Sequence, residues 1–126
     1  MSAIRFDHIN IHCHDQEAVR DFLIDVVGVT EGVRPPFDFP GYWLYLDGQP
    51  VIHLQSTDRS PTTAPEGWVD HIAFGGFDFE QTRERLQTAG YDLHIGGIPG
   101  TGIRQIFVKG PEGARVELQC TEIGDG

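Results

Sequence analysis

The sequence predicts an α+β fold of two tandem β-α-β-β-β units. One observation is an internal repeat, because the tripeptide Asp-His-Ile at residues 7–9 returns at residues 70–72. Another is that a segment with helical apolar periodicity follows each copy, and segments that alternate apolar and polar residues follow in turn. Both halves of the chain therefore contain the same order of elements.

The first unit spans about residues 4–55. Residues 4–12 alternate apolar and polar side chains, which predicts a half-buried strand. The apolar side chains of residues 16–27 fall on one stripe, which predicts a helix that begins after the N-cap Asp15 and ends at Gly28. Further strands are predicted at residues 29–34, 42–46 and 51–55, the last two joined by a tight turn at residues 47–50.

The second unit, about residues 68–121, repeats this order after a linker at residues 56–67 that is rich in Ser, Thr and Pro. Its helix is predicted over residues 79–89, with Asp78 and Gln81 as a capping box. Strands are predicted at residues 69–74, 92–96, 103–109 and 114–120. We expect residues 1–126 to form a single domain.

Composition limits the classes of partner that suit the protein. The chain has 126 residues and a formal net charge of −10, from 9 basic and 19 acidic side chains. Such an acidic surface repels phosphate backbones and anionic lipid, so we expect neither nucleic acid nor a membrane as partner. There is no apolar run of about 20 residues and no signal-peptide pattern, and two cysteines suit a reducing compartment. The predicted location is the cytoplasm.

Four strands each carry an ionisable side chain on the side opposite their apolar residues. These side chains are His8, His53, His71 and Glu117, and His8 is repeat-equivalent to His71 as His53 is to Glu117. If the second faces of the two units converge, all four line one concavity. Three imidazoles and a carboxylate suit a divalent transition metal, and the alternative is four separate surface or hydrogen-bonded side chains.

Other side chains are candidates for substrate binding. Trp43 and Tyr45 share a strand side and would stack on a flat substrate, the alternative being a core or dimer interface. Arg104 would bind a carboxylate or phosphate, the alternative being a surface ion pair. Gln105 and Phe107 share one strand side and are candidates for the cavity wall.

The chain resembles the vicinal oxygen chelate superfamily, which includes glyoxalase I, extradiol dioxygenases, methylmalonyl-CoA epimerase, fosfomycin-resistance enzymes and bleomycin-binding proteins. The most specific matches are DHIAF at residues 70–74 and GPEGARVEL at residues 110–118, and the resemblance covers nearly the whole chain. It implies that the two units form a cupped mixed sheet with the helices outside, and that the cup holds one divalent metal ion (Fe, Mn, Ni, Co or Zn). The resemblance assigns His8, His71 and Glu117 as metal ligands, and His53 as a further ligand or an acid/base.

The resemblance leaves the reaction class open. Enzymes like glyoxalase I have a glutamate where this chain has His53, whereas extradiol dioxygenases have a histidine there. Those dioxygenases usually have a tyrosine in place of Phe107, and typically a second pair of units. The expected function is therefore a metal-dependent lyase, isomerase, epimerase or dioxygenase. Its small substrate would chelate the metal through adjacent oxygens, and His53 or Glu117 would move the proton.

A different class of function is also compatible with the resemblance. A metal-free protein of the bleomycin-resistance type would bind or sequester a small molecule in the same cup. A binding cup has no need of three metal ligands together, and their presence favours the enzyme. The resemblance further implies a homodimer, with sites formed within one chain or across the interface.

Overall fold

A computed structural model of the chain describes residues 5–58, 71–98 and 100–121, with Thr121 described by its backbone alone. The chain divides into two compact units, residues 1–61 and residues 62–126. Each unit has the order β-α-β-β-β, so the predicted α+β fold of two tandem units is confirmed. The predicted linker falls mostly outside the described residues, as does Asp70, and the division into domains stays a prediction.

The first unit is a four-stranded mixed sheet with one helix. Its elements are β1 (Ile9–Cys13), α1 (Gln16–Val27), β2 (Thr30–Gly32), β3 (Gly41–Leu46) and β4 (Gln49–Ser56). The strand order is β1-β4-β3-β2, in which β1 runs parallel to β4 and the other neighbours are antiparallel. The helix connects the two edge strands, so β4 lies in the interior of the sheet beside β1.

The second unit repeats this topology. Its elements are β5 (Ile72–Asp78), α2 (Phe79–Ala89), β6 (Leu93–Gly97), β7 (Arg104–Lys109) and β8 (Arg115–Thr121). The strand order is β5-β8-β7-β6, again with a parallel pair between the first and last strands. The repeat found in the sequence is thus a repeat of topology.

Both helices have the predicted ends. The Asp15 carboxylate accepts a hydrogen bond from the Ala18 amide at 3.1 Å, and α1 ends at Gly28 with a φ of 91°. In α2, Asp78 caps the start in the same way, and Gly90 ends the helix with a φ of 89°. A left-handed residue at a helix end favours glycine, because glycine has no Cβ to oppose that conformation.

One face of each sheet packs against its own helix. The residues buried between each sheet and its helix are the apolar ones of the predicted strand alternation and helix stripe. Burial of their side chains provides the main stabilisation of each unit. They include Leu23, Val26, Leu44, Ile52 and Leu54 in the first unit, and Leu86, Ile106, Val108, Val116 and Leu118 in the second. The opposite face of each sheet carries the candidate metal ligands.

Candidate metal and substrate site

In the first unit, two of the predicted ligands lie side by side. Asn10 of β1 is opposite His53 of β4, and His8 lies two residues before Asn10 on the same side of the strand. The rings of His8 and His53 are stacked, with centroids 3.9 Å apart and planes 14° apart. Trp43 of β3, directly opposite His53, stacks on the other side of His53 at 4.0 Å. The imidazole of His53 is therefore held between two other rings.

Hydrogen bonds determine which ring nitrogens carry protons. The Nδ1 atom of His8 lies 2.7 Å from a carboxylate oxygen of Asp7, which can only accept, so this nitrogen is the donor. The Nε2 atom of His53 likewise donates to the Pro50 carbonyl, at 3.0 Å. In the neutral rings, the lone pairs are therefore on Nε2 of His8 and on Nδ1 of His53.

Electrostatics favour the neutral form of His53. Its pKa lies below the usual histidine value, chiefly because burial removes water from the charged ring and secondly because His8 is close. The pKa of Asp7 is also lowered, mainly by its hydrogen bond from His8. The ionised Asp7 carboxylate thus holds the His8 ring in one orientation.

The second unit brings together the other two predicted ligands. The Nε2 atom of His71 lies 3.2 Å from Oε1 of Glu117, and the other carboxylate oxygen accepts a hydrogen bond from Gln119 at 3.0 Å. Glu117 is only 5% exposed, and these partners offset part of the cost of burying its polar atoms. Phe107, directly opposite Glu117, lies edge-on to the His71 ring with centroids 5.7 Å apart.

The two units place equivalent residues at equivalent positions in strand register. Each has an aromatic ring on its third strand, an ionisable side chain on its fourth strand, and a histidine just before its first strand. The corresponding residues are Trp43 and Phe107, His53 and Glu117, and His8 and His71. Among the described residues, no group of three or more His, Cys, Asp or Glu side chains is arranged to hold a metal ion. The four-residue metal site stays a prediction.

The substrate-binding candidates have different surroundings. Phe107 of β7 is directly opposite Glu117 of β8, and Gln105 lies on the same side of β7 as Phe107. Arg104 points to the other side, where its guanidinium lies 3.6 Å above the ring of Phe79 at the start of α2. This cation–π contact supports a role in packing against the helix, and the substrate role of Arg104 stays a prediction.

An aromatic wall, formed by Phe37, Phe39 and Trp43, continues from the stacked rings of the first unit. Phe37 and Phe39 stack at 5.1 Å, and Phe37 lies 6.4 Å from Trp43. Arg34 holds this loop by donating to the Phe39 carbonyl at 2.8 Å, with its guanidinium 5.0 Å from each phenylalanine ring. The Tyr45 hydroxyl donates a hydrogen bond to the Val33 carbonyl at 2.6 Å, and the substrate-binding role of Tyr45 stays a prediction.

Sequence reasoning did not identify the residues that orient the candidate ligands. Asp7 directly precedes His8, and the repeat of this dipeptide at residues 70–71 was the available signal. Gln119 follows Glu117 at the spacing that puts two side chains on one strand face. Arg115, two residues before Glu117, shares that face for the same reason.

A family model described as the Glyoxalase/Bleomycin resistance protein/Dioxygenase superfamily matches residues 5–118. The chain belongs to this superfamily. No curated protein sequence matches the chain. In the part of the chain that the structure describes, no helix is long and apolar enough to span a membrane.

Solved structures share the superfamily fold with this chain. A Bacillus anthracis protein assigned to the glyoxalase family is 20% identical, with a TM-score of 0.75 over 97% of this chain and 99% of its own. A glyoxalase family protein from Enterococcus faecalis is 23% identical, with a TM-score of 0.70 over 92% and 97%. The fosfomycin resistance protein FosX from Listeria monocytogenes is 17% identical, with a TM-score of 0.71 over 97% and 94%. Identities this low show the fold alone.

Proposed function

We propose that the protein is a divalent-metal-dependent enzyme whose small substrate chelates the metal through adjacent oxygens. The reaction would be of the lyase, isomerase, epimerase or dioxygenase type, and the proposed metal ligands are His8, His71 and Glu117. The observation that carries the proposal is the pair formed by His71 and the buried Glu117, with nitrogen and oxygen 3.2 Å apart.

The donor chemistry of these residues fits a divalent transition metal. An imidazole nitrogen beside a carboxylate oxygen is a common pair of ligands for such ions. The hydrogen bond from His8 to Asp7 is the carboxylate–histidine arrangement that orients metal ligands in many proteins. Two neutral imidazoles and one carboxylate would leave a divalent ion with a net positive charge and open coordination positions.

A bound ion supplies Lewis-acid stabilisation of negative charge on a chelated substrate oxygen. The protein's own residues would supply the proton transfer, and His53 is suited to it because its Nδ1 retains a lone pair while Nε2 donates to Pro50. Trp43 and His8 hold the His53 ring from both sides, which fixes the direction of that lone pair. One carboxylate oxygen of Glu117 accepts a hydrogen bond from Gln119 and the other lies beside His71 Nε2, which suits Glu117 to the role of ligand.

Metal titration of single variants tests the ligand set. We expect one ion per site in the wild type. Removal of one ligand, in His8→Ala, His71→Ala or Glu117→Gln, should weaken affinity by about tenfold or more. His12→Ala is a matched control, because it removes an exposed histidine from the same side of β1 as His8. Equal affinities for His8→Ala and His12→Ala would contradict the assignment of His8.

Mixing two variants that each lack one ligand tests whether a site in the proposed homodimer is formed by one chain or by two. If the ligands of one site come from two chains, a mixture of His8→Ala with Glu117→Gln regains one complete site per mixed dimer. If each site lies within one chain, the mixture regains none. Metal binding of the mixture therefore decides between the two arrangements.

The aromatic wall supports the alternative function of a metal-free binding protein. The exposed rings of Phe37 and Phe39 offer a surface on which a flat ligand would stack. That function predicts ligand binding that a chelator does not reduce and that the three ligand variants retain. The proposed enzyme instead loses turnover when a chelator removes the metal and when a ligand residue is substituted.

A further inference from the structure

A cavity of about 220 Å³ opens on the second unit, on the face of its sheet that carries Phe107. It is smaller than a typical pocket for a whole drug-sized ligand, and its volume suits one functional group of a molecule. The cavity is lined by Asp92, Leu93, His94, Phe107, Lys109 and Arg115. Its basic residues, Lys109 and Arg115, are neither proposed metal ligands nor predicted substrate-binding residues.

Two cations lie next to each other in the lining of this cavity. Lys109 of β7 and Arg115 of β8 are directly opposite in the strand register, and like charges at such positions destabilise a sheet. Lys109 is also the only lysine of the whole chain. Stability of the sheet therefore does not account for this pair of residues.

The acidic side chain in the cavity neutralises little of this charge. Asp92 lies 3.9 Å from the Lys109 ammonium group, with side chains 74% and 73% exposed, respectively. An exposed ion pair of that length contributes little, because water screens it. Of the charged side chains that line the cavity, two are cations and one is a carboxylate, in a chain whose formal net charge is −10.

Comparison with the first unit shows that the repeated fold does not require these cations. The positions 64 residues before Lys109 and Arg115 hold Tyr45 and Val51, which carry no charge at neutral pH. The two units thus share their topology and the placement of their candidate ligands, whereas the basic pair occurs in the second unit.

Phe107 connects the cavity to the candidate metal ligands. The Arg115 guanidinium lies 5.4 Å from the centre of the Phe107 ring, and the His94 ring lies 6.0 Å from it. The same phenylalanine contacts His71, the neighbour of Glu117. A molecule with one end in the cavity therefore has Phe107 between that end and the metal-ligand pair.

We propose that this cavity is a subsite for an oxyanion, namely a carboxylate or a phosphate or phosphonate group. Arg115 provides a planar donor for two oxygens of such a group, and Lys109 adds a point charge. Phe107 then packs against the body of the same molecule. The role of the cavity as a substrate subsite rests on the proposed function, whereas its binding of an oxyanion does not.

Selective ¹⁵N-lysine labelling tests the proposal, since it gives a single backbone amide signal from within the cavity wall. We would titrate metal-free protein at constant ionic strength with inorganic phosphate, phenylphosphonate, benzoate and the uncharged benzamide. The expected result is a saturable shift of the Lys109 signal with at least one of the anions and none with benzamide. Comparison of benzoate with phenylphosphonate identifies the preferred oxyanion. A shift that does not saturate with any anion, or an equal shift with benzamide, would overturn the proposal.

Three variants make the test specific. Arg115→Gln should weaken anion binding about tenfold or more, because it removes a charged donor. Arg85→Gln removes the same charge from the exposed surface of α2 and should leave binding unchanged. Equal losses in both variants would indicate a general charge effect and contradict the subsite. Glu117→Gln should lose metal affinity yet keep anion binding, which separates failure of the metal site from failure of this inference.

Discussion

Gly41, the first residue of β3, has no room for a side chain. A Cβ atom there would lie 2.4 Å from the carbonyl oxygen of Leu54 and 2.8 Å from Nη2 of Arg34. Real Cβ atoms essentially never approach another atom within 3.0 Å. We therefore predict that Gly41→Ala displaces both neighbours and destabilises the first unit.

The loss of stability in Gly41→Ala depends on how far the Leu54 carbonyl and the Arg34 side chain can move away from the added Cβ atom. The Leu54 oxygen belongs to the backbone of β4, the strand of His53, and must move by about 0.6 Å to reach 3.0 Å. Overpacking of this kind costs about 1–3 kcal/mol. Arg34 can swing away, but it then gives up its hydrogen bond to Phe39, which contributes about 1 kcal/mol. After a gain of about 0.5–1 kcal/mol from replacing a strand glycine, the net loss is about 1–3 kcal/mol.

Thermal and urea unfolding measure this loss. For a chain of this size it corresponds to a fall in Tm of about 3–15 °C. Gly75→Ala is the matched control, since Gly75 is also a strand residue and a Cβ there meets nothing within 4 Å. We expect the control to keep or slightly raise the wild-type stability. If the two variants have the same stability, the close approach of β4 and Arg34 to Gly41 is not a real constraint.

Three further predictions concern hydrogen bonds and buried side chains. Asp7→Asn should weaken metal affinity by about 10–100-fold in calorimetric titrations while leaving the unfolding curve unchanged, because the exposed carboxylate only orients its histidine neighbour. Cys13 and Cys120 should react with a thiol reagent only as fast as the protein unfolds, since both are buried and burial raises the pKa of Cys120. The pKa of Tyr42 is raised by burial and by its hydrogen bond to Glu17, so its stabilisation is present below pH 10 and is lost as the pH rises through the folded-state pKa. The stability difference between wild type and Tyr42→Phe, about 0.5 kcal/mol at pH 8, should therefore shrink at pH 11 in urea titrations.

The repeat made most of the fold predictable. The Asp-His-Ile tripeptide and the helix caps at Asp15 and Asp78 recur at one spacing. A single β-α-β-β-β order of elements therefore accounts for both halves. Strand alternation then places His53 and Glu117 on the faces opposite the buried cores, because side chains alternate strictly across a strand. The predicted strand at residues 29–34 was too long, since β2 ends at Gly32, where the loop held by Arg34 begins.

Tertiary contacts made the rest unpredictable from the sequence. Arg104 and Gln105 are neighbours in the chain, and only the register of β7 shows that the first faces α2 while the second faces away. The cavity beside Phe107 depends on cross-strand pairing between Lys109 and Arg115, residues that a turn separates. Lys109 lies outside the matched motifs and Arg115 was not singled out within residues 110–118, so the interest of the pair comes from the charge that the two residues place together.

The metal content of the purified protein tests the central claim most directly. Untagged protein, prepared without chelator, would be compared by elemental analysis with the double variant His71→Ala, Glu117→Ala. The account predicts about one iron, manganese, nickel, cobalt or zinc ion per site in the wild type and none in the variant. A wild type that stays empty after incubation with each ion, or a variant that holds as much metal as the wild type, would contradict it.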